Sequence, residues 1–78
     1  MKNEYVLNLD SITNLTQFVL EISSIPCDID AIYERQIVDA KSYLGLIAIS
    51  SHPIKIIINT DDEKYLQTFS TICKKYEI

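Results

Sequence analysis

Residues 28–45, reading DIDAIYERQIVDAKSYLG, constrain the fold of this chain most. They hold two short β-prone runs, 29–33 and 37–40, around Glu34-Arg35-Gln36. A Lys-Ser pair follows, just before the only glycine, Gly45. Apolar and β-branched runs this close together read as the two arms of a hairpin. The turn between them contains neither Gly nor Asn, which is weak turn chemistry and leaves the register open.

On either side the pattern switches between a period of two and a period near 3.6. In residues 5–9, Tyr5, Leu7 and Leu9 share one face and Val6 and Asn8 the other, as in a half-buried strand. The run Asp10-Ser11-Ile12-Thr13-Asn14 then offers several helix caps in a row, and the choice among Ser11, Thr13 and Asn14 stays open. Leu15, Phe18, Val19 and Ile22 follow at helical spacing. That helix ends near Ser23-Ser24, because Pro26 pushes Ile25 into an extended conformation. Residues 42–49, SYLGLIAI, fit either a buried strand or a short helix when taken alone. After the loop Ser50-Ser51-His52-Pro53, residues 54–59 read as a strand, with Ile56, Ile57 and Ile58 central in the sheet. Thr60 is the expected cap of a final helix, with Glu63 reaching back and Asp61 and Asp62 at the positive end of the dipole. Tyr65, Leu66, Phe69, Ile72, Cys73 and Tyr76 trace its apolar face.

With 78 residues the chain makes a single domain, 1–78, and its 47% hydrophobic content is enough for one compact core. The resulting order, β-α-β-β-α-β-α, places helices on one face of a mostly antiparallel sheet, an α+β domain. Seven basic residues against eleven acidic give a net charge of −4, which opposes nucleic-acid binding and leaves the protein free to meet a basic patch on a partner. Cys73 falls on an apolar helix face, while Cys27 sits at a helix-to-strand junction. Two free thiols in a reducing cytosol and a disulfide between them are the two readings. No signal peptide follows the N-terminal MKNEY and no run approaches a membrane span, so a cytoplasmic protein without membrane contact is expected.

The string Asp28-Ile29, Val38, Lys41-Ser42 and Gly45, in this element order, resembles the HPr family, the histidine-containing phosphocarriers of the bacterial sugar phosphotransferase system. The resemblance implies an open-faced β-sandwich, four strands under three helices, with a short helix starting at Ser42 or Tyr43. It also implies a phosphoacceptor histidine at the edge of the first helix, followed by alanine, arginine and proline. There the first helical turn offers unpaired N–H donors and a positive dipole end to an anionic phosphoryl group, and the arginine adds a cationic fork. In this chain those positions hold Ser11, Ile12, Thr13 and Asn14, and all four depart from the pattern. A serine cap cannot replace imidazole, and no Arg or Lys lies between Lys2 and Arg35. The lone His52 falls in the loop before the fourth strand, where a solvated surface residue is expected.

No metal or cofactor is expected. Asp28 and Asp30, two apart on one strand face, permit at most a weak cation site. The chain resembles the catabolite-repression HPr-like proteins, which lack the histidine and keep a serine phosphorylated by a dedicated kinase. Ser42 matches that serine and is also readable as a simple cap. Tyr43, Leu44 and Ile47 match the short helix that the family uses as an apolar docking face. Too many apolar residues crowd this run for one stripe to bury, so some of them should face solvent. The expectation is a non-catalytic regulatory or protein-binding module, not an enzyme. Its partner would be a phosphotransferase-system or regulatory protein, a serine kinase among them. The alternatives are a divergent phosphocarrier working through Ser11 or His52, and a structural domain that self-associates as a homodimer.

Overall fold

A computed structural model describes residues 2–78. The elements run β1 (Glu4–Leu7), α1 (Ile12–Ile22), β2 (Ile29–Tyr33), β3 (Gln36–Asp39), α2 (Tyr43–Ile49), β4 (Ile54–Ile58) and α3 (Glu63–Cys73). The strands form one antiparallel sheet in the order β1-β4-β2-β3, and the three helices cover one of its faces. This is the α+β open-faced sandwich anticipated above.

Period-two patterning decides which face is covered. Tyr5 and Leu7 of β1, Ile29 and Ala31 of β2, and Ile54, Ile56 and Ile58 of β4 all point into the core. Three consecutive isoleucines survive in β4 because it is central: Ile56 and Ile58 are buried, and Ile57 lies half-buried on the open face. From the helical layer, Leu15, Phe18 and Ile22 of α1 meet Leu46 and Ile49 of α2 and Leu66, Phe69, Ile72 and Cys73 of α3. Aromatic pairs lock the layers together. Tyr5 packs on Phe69 at 5.7 Å and donates its hydroxyl to Ser70 Oγ at 2.7 Å. Phe18 meets Tyr76 edge-on, also at 5.7 Å.

The hairpin between β2 and β3 closes on two residues, with Tyr33 opposite Gln36. Glu34 takes a φ of 54°, the left-handed conformation that Gly or Asn would adopt more readily.

Several expected boundaries shift. Ser11 is the cap of α1. Asp62, not Thr60, caps α3 by accepting from Lys64 N at 2.9 Å, while Thr60 Oγ1 accepts from Asp62 N and shapes the turn before it. A cap must sit one residue before the first helical residue, and the helix starts at Glu63. Tyr76 lies beyond the helix, in a segment that turns back onto β1: Asn8 N donates to Tyr76 O, Leu7 bridges Glu77, and Ile78 N donates to Val6 O. Leu9 lies beyond β1 yet is fully buried. Cys27 and Cys73 are free thiols, half-buried and buried respectively, so the disulfide reading does not hold.

Candidate functional site

The helix edge after β1 is built from a short turn and a cap. Asn8 Oδ1 accepts from Asp10 N at 3.1 Å, and Ser11 Oγ accepts from Asn14 N at 3.4 Å. Ser11 is therefore occupied as a cap, and Ile12, Thr13 and Asn14 behind it are exposed. None of residues 8–14, which build this edge, is a cation or an imidazole.

His52 and this edge start from the same end of the sheet, since Leu7 at the end of β1 pairs with Ile54 at the start of β4. The imidazole stacks on Tyr33 of β2, with ring centroids 4.2 Å apart and planes within 4°. Strand β4 stands between β1 and β2, so this stacking partner is not on the strand that leads to Ser11. The expectation of a solvated loop histidine is refined: His52 is exposed but held against an aromatic face.

Helix α2 is entered from the opposite end of the sheet, after β3. Ser42 is its cap, extended at φ −90°, with Oγ accepting from Gly45 N at 3.3 Å. Lys41 beside it donates its ammonium to the Ile25 carbonyl, tying the start of α2 to the end of α1. Gly45 stands where α2 passes close to its own cap and to β3. A Cβ there would stand 3.3 Å from Ser42 Oγ and 3.4 Å from Val38 Cβ.

Leu46 and Ile49 fill the core from α2. The side chains predicted to dock a partner are turned outward: Leu44 is 79% exposed, Ile47 38% and Tyr43 36%. Helix α1 packs against α2 and adds two residues that the sequence reading missed as surface. Ile12 is 61% exposed and Leu20 66%. Both lie off the buried stripe of Leu15, Phe18 and Ile22, at a spacing of eight residues, which is two turns of one face. That second period was present in the sequence, overlaid on the stronger core stripe.

The titratable groups that depart from ordinary behaviour lie elsewhere. Glu21 is held below the usual carboxylate value by the Lys75 ammonium, with Tyr76 also donating to it at 2.8 Å. Burial pushes Tyr76 up to about 12, helped by Glu21, and burial with the nearby Glu77 charge pushes Cys73 up to about 12. Glu21, Lys75 and Tyr76 staple α1 to the chain after α3. Asp28 and Asp30 do lie together on the open face of the sheet, where Asn59 Nδ2 donates to Asp30 Oδ2 at 3.1 Å. Among the described residues no three His, Cys, Asp or Glu side chains converge to hold a metal ion, and no helix is long and apolar enough to cross a membrane.

No protein-family model matches the chain, and no curated protein matches it. Among solved structures it is similar to the crystal structure of HPr-C-His from Thermoanaerobacter tengcongensis. The TM-score is 0.71 at 19% identity, over 96% of this chain and 93% of that one. The fold is HPr-like.

Proposed function

We propose that this chain is a non-catalytic HPr-like module that binds a protein partner through α2, in a setting related to the bacterial phosphotransferase system. The observation that carries the reading is the outward display of Leu44, Tyr43 and Ile47 on a helix whose inward residues already complete the core. An aromatic beside two aliphatic side chains suits the centre of an interface. The missing imidazole at Ser11 and the stacking of His52 on Tyr33 both speak against phosphoryl relay. Ser42 is exposed at the start of the docking helix, so a phosphoryl group added there would place about two negative charges beside the apolar face.

The test is titration of isotope-labelled protein with the first enzyme of the phosphotransferase system and with the HPr serine kinase. Amide shifts are expected at Tyr43, Leu44 and Ile47. Leu44→Asp should weaken binding by about tenfold or more while leaving the fold intact. With ATP, the kinase should place one phosphoryl group on Ser42. Absence of that modification removes the regulatory part of the reading. Acid-labile phosphate on His52, after incubation with phosphoenolpyruvate and the first enzyme, overturns the reading as a whole.

A further inference from the structure

The two edges of the sheet are treated differently. The β1 edge is closed by the chain's own last residues, through the Leu7–Glu77 bridge and the bond from Ile78 N to Val6 O. Among the described residues no strand or bridge covers the β3 edge. Ala40 N donates to Ile29 O, so the alternation of an antiparallel ladder makes Val38–Ala31 and Gln36–Tyr33 the other hydrogen-bonded pairs. The N–H and C=O of Ile37 and the N–H of Asp39 consequently face outward. The Asp39 carbonyl is taken by Ser42 N at 2.9 Å.

The side chains of Ile37 and Asp39 stand on the open face of the sheet. Ile37 is 66% exposed and lies opposite Ile32, in a row continued by Lys55 and Val6. Asp39 lies opposite Asp30 in a non-hydrogen-bonded pair, the kind that brings side chains closest. With Asp28 and Asn59 they rim a depression of about 260 Å³ against Ile37. Among the described residues the ion pairs are Lys2–Glu77, Lys55–Glu4 and Lys75–Glu21, so none of these three aspartates is ion-paired: Asp30 accepts from Asn59 Nδ2 and Asp39 Oδ1 accepts from Lys41 N at 2.9 Å, which leaves both charges unneutralised. An apolar residue next to facing like charges, on an uncovered strand edge, is an incomplete arrangement.

We infer that β3 receives an extended segment of a partner protein as a fifth strand, and that this segment is basic. Main-chain bonds form to Ile37 and Asp39. Alternate side chains of the added strand share the open face, so an apolar residue falls beside Ile37 and an arginine or lysine two positions away falls beside Asp39 and Asp30. A second copy of this chain is the wrong occupant: its own β3 would set Asp39 and Asp30 beside more aspartates, on a molecule of net charge −4. The site is separate from α2, which covers the opposite face.

The probe is a short acetylated peptide in which valine and arginine stand two positions apart on one face, with threonine between them (Val-Thr-Arg-Thr repeated), compared with its counterpart carrying glutamate for arginine. The intact protein is expected to bind the basic peptide alone, with amide shifts at Ile37, Asp39 and Asp30. The double variant Asp30→Asn/Asp39→Asn should weaken it about fivefold or more, as should added salt. That variant removes a like-charge pair and is expected to melt no lower than the parent, so loss of folding does not mimic loss of binding. Leu44→Asp should leave peptide binding unchanged, which keeps this test independent of the α2 reading. Equal binding of both peptides, no binding, shifts confined to α2, or concentration-dependent dimerisation through β3 each overturn the inference.

Discussion

Glu34 is where one residue most visibly disagrees with the conformation it occupies. A left-handed φ at a long, unbranched side chain costs about 1 kcal/mol, and Asn tolerates it better. Glu34→Asn is therefore expected to raise the melting temperature by a few degrees in a chain of this size, by thermal denaturation followed by circular dichroism. An unchanged or lower midpoint would show that the turn carries no strain. The residue scale also explains the shifted cap. Thr60 and Asp62 are both good capping residues, and sequence preference barely separates them. The choice depends on where the chain leaves β4, and the structure places that exit so that Asp62 stands at the first free N–H groups of α3.

At the scale of the element, α2 is a short helix under two opposed pressures. Gly45 lowers its intrinsic helix propensity, yet a methyl group there would crowd the Ser42 hydroxyl that caps it. Gly45→Ala alone is expected to change stability little, because a propensity gain of about 1 kcal/mol is offset by a disturbed cap. In a Ser42→Ala background the cap is already gone, and the same substitution should stabilise by about 1 kcal/mol. A double-mutant cycle in urea measures the coupling, and strict additivity would contradict the geometry. This element was ambiguous in the sequence, since an apolar run of this length suits a strand as well as a helix. Packing settled it: as a helix, it buries Leu46 and Ile49 and leaves Leu44 to solvent.

For the whole molecule, Glu21 and Tyr76, which join α1 to the chain after α3, and Cys73, buried in α3, shape the pH dependence of stability. Glu21 has a lowered carboxyl value in the folded state, so its contribution is present above the ordinary 4.5 and is lost as the pH falls through the lowered value. Cys73 and Tyr76 are raised from 9.0 and 10.0 to about 12, so their contributions are full below pH 9 and are lost as the pH climbs towards 12. Denaturation midpoints measured across pH should fall at both ends. Cys73→Ala should delay the alkaline fall until tyrosine begins to ionise, and an unaltered profile would show that the thiol is not buried. The four strands, the inward stripes of α1 and α3 and the serine at position 11 could be read directly from residue identity, because period and side-chain chemistry are local properties of a chain. The stacking of His52 on Tyr33, the closure of the β1 edge by the last residues and the bare edge at β3 could not. Each arises from segments distant in the chain that meet only after the strands have paired, and no local pattern encodes which neighbour a strand will find.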